Sequence, residues 1–246
     1  MTLLEMIQKE NAAAFTHGGK FHADDVFSAA LLLHFNPKLT IQRGNRVPEE
    51  FAGIVFDIGR GEYDHHQKDS RIRENGAPYA AFGLLWEELG TEILSPKMAE
   101  CFDEKFVQPL DNNDNTGEKN ELAGLIGMFN PVWDDNRGSD AAFFEAVTIA
   151  GRILEHKWER FRADERMEQQ FAELLSAHRE RIAAEEKTET MDEKILVLSE
   201  FFPCQKQLSA TEIAFLVFPS NRGGYCVQPV RKENSSNYKY EFPENW

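Results

Sequence analysis

The sequence predicts an α/β fold: a parallel sheet with helices on both faces, then a long helical connector and a small β-rich C-terminal domain. Three observations support this prediction. Apolar runs of strand length alternate with helical patterns in the first part of the chain, apolar residues then recur at helical spacing over a long stretch, and strand-like runs follow it. The expected domains are residues 1–138, 139–191 and 192–246.

Three strands are expected near the start of the chain, each an apolar run that ends in a loop. They lie at Ala12–Phe15, Leu39–Ile41 and Gly53–Gly59. The third run is continuously apolar up to Asp57, which is typical of a strand buried on both faces of a parallel sheet. An apolar helix, Val26–Leu33, is expected between the first two strands.

Further helices and a second group of strands are expected along the rest of the chain. The helices lie at Ala80–Leu89, from Ser95 onward, at Ala123–Met128 and from Ser139 to about Ile182, the last one broken once. Ser95 suits an N-cap and Pro96 the first helical position. A polar run at residues 185–190 marks the expected domain boundary. Beyond it, strands are expected at Ile195–Leu198, Ile213–Phe218 and Gly224–Val230, with a hairpin turn between the last two.

The charge of the chain narrows the function classes. The 246 residues carry 27 Lys+Arg and 42 Asp+Glu, a formal net charge of −15. Such a charge repels polyanions, so broad nonspecific coating of DNA is not expected. An enzyme that acts on phosphates remains compatible with it, because carboxylates that bind divalent cations are counted as bare negative charge. A generic solubilising surface is the alternative explanation for most of the acidity.

The chain is expected to be a cytoplasmic protein without a membrane segment. Its longest apolar runs, such as Ala29–Leu33, are too short to span a bilayer, and no basic segment followed by an apolar stretch opens it. The three cysteines, Cys101, Cys204 and Cys226, lie far apart and form no metal-type pair. This spacing fits buried thiols in a reducing compartment.

Side chains that can bind a metal ion are concentrated early in the chain. Five of the seven histidines lie within the first 66 residues, and four of these five stand near acids or glycines. The set is His17, His22, Asp24, Asp25, Asp57, Asp64, His65 and His66. Imidazole and carboxylate together suit Mn²⁺, Fe²⁺ or Zn²⁺ better than Ca²⁺. Because functional groups collect at the carboxyl ends of strands in an open parallel sheet, several strand ends can direct these side chains to one point.

Each of these residues has a structural explanation when it is taken alone. Asp57 could cap a helix or lie in a solvated loop, and Asp24-Asp25 could compensate the charge of a helix N-terminus. Three histidines fall in helical segments and are expected at the surface or at the edge of the core; they are His34, His156 and His178. The clustered order of histidines and acids favours the metal site.

The same residues resemble a known family. Asp64-His65-His66, an apolar strand that ends in Asp57, and the pattern His17…His22-x-Asp24 look like the DHH phosphoesterase superfamily. Within it, the chain is similar to the branch named for the melanocyte proliferating gene product. The segments that carry this similarity are Thr16–Asp25, Tyr63–Gln67, Leu110–Asn115 and Phe242–Trp246, so the resemblance covers nearly the whole chain. It implies a DHH-type catalytic domain and a metal-dependent hydrolase that acts as a 3′–5′ RNA exonuclease.

The resemblance also implies a cofactor of two divalent metal ions, with manganese as the first choice and magnesium, iron or zinc as alternatives. One ion would be bound by His17, His22 and Asp57. The other would be bound by Asp24, Asp57 and His65, so that Asp57 bridges the pair.

The remaining site residues follow from the same resemblance. An acid after the helix that begins near Ser95 would complete the second metal site; Asp111 and Asp114 compete for this place, and Asp114 is preferred. His66 would face the substrate phosphate, either as a hydrogen-bond donor or as a proton donor to the leaving oxygen. Asp64 would orient the histidines.

Basic residues are expected to guide the phosphate. Lys68, Arg71 and Arg73 form the basic cluster beside the site, for which a solvated loop is an equal alternative. In the C-terminal domain, Arg231 and Lys239 belong to a basic island that would attract the substrate backbone, with a solvated β-hairpin as the alternative. Lys239 stands where the family tends to carry an arginine.

The leading hypothesis is a divalent-metal phosphodiesterase, a 3′–5′ exonuclease that hydrolyses RNA or short oligonucleotides by two-metal water activation. The alternatives are a hydrolase of a small phosphate compound, such as pyrophosphate or a nucleotide phosphate, and a metal-binding module without turnover. Acidity favours the small substrate, and the family resemblance favours RNA. A homodimer is left open. The family usually continues after its Pro-x-x-Trp segment with a glycine-rich stretch, so the C-terminal domain is expected to be shortened or to have lost part of its substrate site.

Overall fold

The structure, a computed structural model, describes residues 1–135, 138–184 and 191–242. The chain divides into two units, Met1–Arg162 and Ala163–Trp246. The polar run at residues 185–190 and most of the family-like segment that ends at Trp246 lie outside the described residues. The predicted domain boundaries stay a prediction.

The first unit contains a parallel sheet of three strands, as the sequence predicts. Strand β1 (Ala13–His17) lies in the middle, between β2 (Thr40–Gly44) and β3 (Ile54–Val55), and pairs with both in parallel. The third strand is shorter than expected because Phe56 forms a bridge with Tyr63 and the chain then leaves the ladder. The carboxyl ends of β1 and β3 therefore lie side by side, and ligand-type residues follow both.

Six helices surround this sheet within the unit up to residue 135. They are α1 (Leu3–Ile7), α2 (Ala23–Phe35), α3 (Ala81–Leu89), α4 (Pro96–Phe102), α5 (Gln108–Thr116) and α6 (Glu121–Gly127). The expected helices at the positions of α2, α3, α4 and α6 are confirmed, and α4 begins at Pro96 with Ser95 as its N-cap. A π-helical turn, Asp103–Val107, lies between α4 and α5.

Helix α2 is buried along most of its length. Every residue from Ala23 to Leu32 is buried, including Asp24 and Asp25. A helix that is apolar on all sides is stable only when it is covered on all sides. The ring of Phe27, for example, contacts those of Phe82 and Phe106 at centroid distances of 5.6 and 5.5 Å. This packing holds the acidic first turn of α2 away from solvent.

Helix α7 (Ser139–Ala184) is one uninterrupted helix of 46 residues, so the predicted break is wrong. The segment contains no proline, and its one glycine, Gly151, has open space around it. A glycine inside a helix costs only about 1 kcal/mol relative to alanine, which the packed face of the helix offsets. The division between the two units falls within this helix.

The second unit contains the predicted C-terminal strands, β4 (Ile195–Val197), β5 (Phe215–Pro219) and β6 (Tyr225–Pro229), with a short helix α8 (Gln205–Leu208) between the first two. Strand β5 lies in the middle, parallel to β4 and antiparallel to β6. The predicted hairpin turn is confirmed, and its residues Gly223 and Gly224 both have positive φ, which glycine adopts without strain. Among the described residues, no helix combines the length and the apolar character that crossing a bilayer would need.

Candidate metal centre

Four segments of the first unit bring the ligand-type side chains together. His17 is the last residue of β1, and His22 is the N-cap of α2, whose first turn carries Asp24 and Asp25. Asp57, His65 and His66 lie in the loop that follows β3, and Asp114 lies in α5. The sequence prediction of a cluster at the carboxyl edge of a parallel sheet is therefore reproduced in the geometry.

The imidazole of His17 points at two carboxylates. Its Nε2 lies 3.0 Å from Oδ2 of Asp25 and 3.2 Å from Oδ2 of Asp57. Its Nδ1 lies 3.0 Å from the carbonyl oxygen of Gly18 and can donate to it. A histidine held in this way through one ring nitrogen presents the other nitrogen to a metal.

The imidazole of His65 is held in the same manner from the other side. Its Nδ1 lies 3.2 Å from Oδ1 of Asn115, while its Nε2 lies 3.1 Å from Oδ1 of Asp57 and 3.2 Å from Oδ2 of Asp114. Oδ2 of Asp24 is 3.9 Å from the same Nε2. Asn115 therefore fixes a ring that faces three carboxylates.

Asp57 lies between these two histidines, with Oδ2 toward His17 and Oδ1 toward His65. Its φ is +55°, a left-handed conformation that is uncommon for a residue with a side chain. The backbone is held there in part by a hydrogen bond from the Asp57 N–H to the carbonyl oxygen of Tyr63, at 2.9 Å. Backbone strain of this kind is frequently found where a side chain must be aimed at a functional site.

His66 lies at the edge of the cluster: its side chain is largely exposed, and its Nδ1 lies 3.7 Å from Oδ1 of Asp57. Its Nδ1 lies 2.7 Å from Oδ1 of Asp64, and its backbone N–H donates to the same oxygen at 3.1 Å. The other oxygen of Asp64 accepts from the N–H of Arg60 at 2.6 Å. The side chain of His66 is 59% exposed, so its ring is fixed by Asp64 and still accessible to a substrate.

The carboxylates of the cluster differ in their charge state. Burial raises the pKa of Asp24 well above its ordinary value, and repulsion by Asp57 adds to the effect. Burial also raises the pKa of Asp25, against the opposing effect of its hydrogen bond with His17. For Asp57, burial is outweighed by the hydrogen bonds from His17 and His65, which lower its pKa to about 2.

Hydrogen bonds with these acids favour the protonated form of His17 and of His65. Burial opposes the charge on His17, but hydrogen bonds with Asp25 and Asp57 outweigh it and raise the pKa of His17 to about 10. Burial likewise opposes the charge on His65, whose pKa is raised to about 10 by Asp114 and Asp57. Metal ligands must be deprotonated, so a divalent cation would take the place of these protons.

Among the residues that the structure describes, three groups of donor atoms are close enough together to hold an ion, each within 4.8 Å. They are His17, Asp25 and Asp57; His22, Asp24 and Asp114; and Asp57, His65 and His66. Asp57 belongs to two groups, which fits a bridging ligand. The grouping differs from the implied ligand sets in three respects. Asp25 takes the place of His22 beside His17 and Asp57, His22 lies with Asp24 and Asp114, and His65 lies with Asp57 and His66. Consecutive helical residues point about 100° apart, and the sequence pattern does not show which of the two acids faces which histidine.

The environment of Asp24 shows that this set of ligand-type side chains fits divalent cations. Both carboxylate oxygens of Asp24 are buried, and neither has a hydrogen-bond partner among the described residues. A carboxylate buried without a partner is strongly unfavourable unless it binds a proton or a cation. Together with the imidazoles around it, Asp24 forms a site that could hold metal ions.

Asp111 has a different environment from Asp114. Oδ2 of Asp111 accepts from the guanidinium of Arg73 at 2.8 Å, and its Oδ1 accepts from the N–H of Gly83 at 3.1 Å. A Cβ at Gly83 would collide with this carboxylate, which explains the glycine. Of the two acids that the sequence left in competition, Asp114 is the one that lies at the metal centre.

Two residues of the predicted basic cluster, Arg71 and Arg73, pair with acids outside the candidate metal centre. Arg73 is buried and donates to Asp103 and Asp111 as well as to the carbonyl oxygen of Pro78. Burial opposes its charge, but the two acids raise the pKa of Arg73 above its usual value. Its side chain is thus occupied inside the protein, which leaves its predicted role in substrate binding without structural support. Lys68 and Arg71 are exposed, and Arg71 pairs with Glu87 at 2.7 Å.

Two cavities open onto the cluster, with volumes of about 520 and 400 Å³. Lys20, His22 and His66 line both and form a shared wall. The larger cavity continues past Asp114 toward Gly127, and the smaller one past Asp57 toward Arg60. Lys20 and Arg60 are cations that the sequence analysis missed, although Lys20 lies inside the segment that carries the family resemblance.

The predicted C-terminal substrate residues belong to the second unit. The Nζ of Lys239 donates to the carbonyl oxygens of Leu208, Thr211 and Ile213, at 2.7, 2.5 and 2.9 Å. This lysine therefore satisfies three backbone carbonyl groups of its own unit, and burial lowers the pKa of its ammonium group. Arg231 is exposed, and its guanidinium carbon lies 5.8 Å from the ring centroid of Tyr238.

Comparison with known proteins agrees with the sequence resemblance. A MYG1 protein of Caenorhabditis elegans is 25% identical over 176 residues, and the match covers 55% of this chain and 52% of that protein. MYG1 proteins of Chlamydia trachomatis serovar D and Chlamydia muridarum are each 28% identical, over 162 and 167 residues. The chain spans about half the length of these curated relatives. No solved structure matches it significantly.

A family model covers almost the whole chain. Residues 13–246 match MYG1_exonuc, which is described as an uncharacterised protein family (UPF0160). The match confirms the resemblance to the branch named for the melanocyte proliferating gene product. The chain belongs to the MYG1_exonuc family.

Proposed function

We propose that this chain is a divalent-metal-dependent phosphodiesterase that removes nucleotides from the 3′ end of RNA or short oligonucleotides, with Mn²⁺ as the first candidate metal. The proposal is supported by two buried acids of one cluster. Asp24 has no hydrogen-bond partner among the described residues, and Asp57 belongs to two of the donor groups. Two divalent ions, when bound, supply an activated water nucleophile and neutralise the charge that develops on a phosphate.

The protein's own residues have distinct tasks in this reaction. Asp57 and His65, together with the other members of the donor groups, would hold the cations. Asp64 orients His66 through Nδ1, so that the exposed Nε2 can donate a proton or a hydrogen bond to the leaving oxygen. Lys20, on the wall shared by the two cavities, can bind a phosphate oxygen.

The two cavities support a diester as the substrate. A phosphodiester carries a group on each side of the scissile phosphorus, whereas a monoester or pyrophosphate needs space mainly on one side. A cavity lies on each side of the wall that contains His66, and the larger one, about 520 Å³, falls within the usual size of a small-molecule pocket. The larger cavity can take the released nucleotide while the rest of the strand occupies the smaller one.

The experiment that tests this proposal compares substrates on one preparation of Mn²⁺-loaded protein. A single-stranded RNA labelled at its 5′ end should shorten one nucleotide at a time, and the same RNA labelled at its 3′ end should lose the label in the first step. Blocking the 3′ hydroxyl should not alter a purely endonucleolytic activity, so cleavage within a 3′-blocked RNA would contradict the 3′–5′ direction.

A second candidate is the hydrolysis of a small phosphate compound. The net charge of −15 supports it, because a strongly acidic chain attracts a long polyanion less than a compact one. Turnover of pyrophosphate or of a nucleotide phosphate in the same assay, with RNA left intact, would favour this candidate and overturn the first.

A further inference from the structure

The sheet of the second unit buries one face and exposes the other. Successive side chains of a strand point to opposite faces, so Leu196 and Leu216 lie in the core while their neighbours point outward. Val197 pairs with Val217, and Val217 with Val227, which places three valines in one row across the exposed side. We call this side of the sheet, together with the aromatic residues described next, the outer face.

Aromatic rings extend the outer face on both sides of the valine row. Tyr225, on the edge strand β6, is 70% exposed. The ring of Phe215 lies 6.4 Å from that of Tyr240 and 5.6 Å from that of Phe242, measured between centroids. Tyr238 precedes these two in the last described segment, whose intervening Lys239 turns into the protein. Three exposed rings, those of Tyr225, Tyr240 and Phe242, thus lie on one surface together with the half-buried ring of Phe215.

Cations flank this surface at both ends. Arg222 lies in the turn next to Tyr225, whereas Arg231 and Lys232 follow the other end of β6. All three are exposed, and within residues 191–242 none of them forms an ion pair with an acid. The guanidinium of Arg231 lies beside the ring of Tyr238. The same stretch, residues 221–242, also carries two exposed acids, Glu233 and Glu241, so exposed cations outnumber exposed acids by three to two on a chain with a net charge of −15.

We propose that the outer face is a binding platform for single-stranded RNA, in which bases stack on the exposed rings and phosphates meet the flanking cations. Exposed rings combined with basic residues are the means by which proteins bind single strands without reading their sequence. The seven residues from Tyr225 to Arg231 extend over roughly 20 Å at the rise of a β-strand, which is sufficient for several nucleotides. The inference rests on the proposed function, because it names the part of an RNA substrate that lies outside the metal centre.

The charges on this surface favour RNA over a second copy of the chain. In a symmetric dimer the same patch would meet itself, so the cations Arg222, Arg231 and Lys232 would face either their own copies or the cations at the other end of the patch. An RNA strand supplies the opposite charge. A duplex is a weaker ligand, because its bases are already stacked on one another and cannot lie on the rings.

The experiment measures the binding of a fluorescein-labelled single-stranded 12-nucleotide RNA to the full chain by anisotropy, in EDTA so that no cleavage occurs. Tyr225→Ala should weaken binding by about 5-fold or more, the loss that follows removal of one stacking ring. Tyr225→Phe keeps the ring and should bind like the original chain. Arg231→Glu should weaken binding at low salt by an amount that shrinks as salt rises, whereas Arg160→Glu, an exposed charge reversal in the first unit, should do so much less.

The outcomes separate this inference from the proposed function. Tyrosine-dependent binding of RNA without any cleavage in Mn²⁺ would support the platform and contradict the exonuclease. Cleavage with equal RNA affinity for Tyr225→Ala and the original chain would leave the exonuclease standing and overturn the platform. A chain that sediments as a dimer, becomes a monomer on Tyr225→Ala and shows no change in RNA affinity would identify the outer face as a dimer interface and overturn the proposal.

Discussion

Asp24 and Asp111 are both completely buried, and the protein completes the environment of only one of them. Asp111 accepts a hydrogen bond from Arg73 and another from the backbone of Gly83. Asp24 has no hydrogen-bond partner among the residues from 1 to 135, and its nearest charged neighbours include two further carboxylates, Asp57 and Asp114.

The different environments of Asp111 and Asp24 separate a buried charge that stabilises the fold from one that serves the candidate metal site. A buried carboxylate that meets a buried guanidinium is an internal ion pair, and removing its partner is costly. A buried carboxylate that meets only other acids and imidazoles is stabilised when a cation arrives from outside.

Asp57→Asn should abolish the binding of at least one metal ion. We expect turnover to fall by about 10³-fold or more, since two-metal stabilisation supplies several kcal/mol and each tenfold in rate corresponds to ~1.4 kcal/mol. Metal content measured by mass spectrometry and the rate on a labelled RNA check this expectation. Asp69→Asn changes an exposed acid nearby and serves as the matched control. Full metal occupancy with unchanged turnover in Asp57→Asn would refute the bridging role.

His65→Ala and His66→Ala should separate metal binding from catalysis. His66→Ala should keep its metal and lose about 10²- to 10⁴-fold in rate, the usual effect of removing a proton-transfer group. His65→Ala should lose metal affinity, because its Nε2 faces three of the carboxylates. The two roles would be reversed if His66→Ala lost metal while His65→Ala retained it.

Arg73→Leu should destabilise the fold without touching the metal centre. It leaves Asp111 buried and unpaired, so we expect the free energy of unfolding to fall by about 3–5 kcal/mol, in metal-free and metal-loaded protein alike. Arg71→Leu is the matched control: its pair with Glu87 is exposed, and its loss should cost less than about 1 kcal/mol. Equal effects of the two variants in urea unfolding would show that Asp111 is not completed by Arg73.

Metal-free protein should lose stability as the pH rises from 6.5 toward roughly 9. The pKa values of His17 and His65 are raised to about 10 in the folded chain, so the stability they contribute is complete below their unfolded pKa of 6.5 and is lost as the pH rises through about 10. Metal-loaded protein should show no such decline, because cations replace these protons. Urea unfolding at several pH values, with and without Mn²⁺, measures both. A metal-free chain whose stability rises over this range would contradict the assigned protonation.

Much of this fold could be predicted from local patterns. The strands β1 and β2, the helix between them and the C-terminal hairpin each follow from apolar runs and turn residues near in sequence. The position of Asp57 and His65 followed from the same logic, because the ends of adjacent parallel strands must meet. The continuous α7 was missed, since a helix of 46 residues depends on packing along its length and not on a local stop signal.

What the sequence could not show depends on orientation and on distant partners. Whether Asp24 or Asp25 faces His17 is decided by the rotation of α2, which packing sets. The fate of Arg73 was equally hidden, because its partners Asp103 and Asp111 lie 30 and 38 residues away. A basic residue beside a candidate site looks like a phosphate ligand until its acceptors are known.

The most direct test of the central claim is a calorimetric titration of Mn²⁺ into metal-free protein, performed in parallel on Asp24→Asn and Asp111→Asn well below their unfolding temperatures. We predict that the original chain binds two ions, that Asp24→Asn loses at least one of them, and that Asp111→Asn binds both although it is less stable. The account would be contradicted if Asp24→Asn bound Mn²⁺ with the stoichiometry and affinity of the original chain, or if Asp111→Asn were the variant that lost the ions.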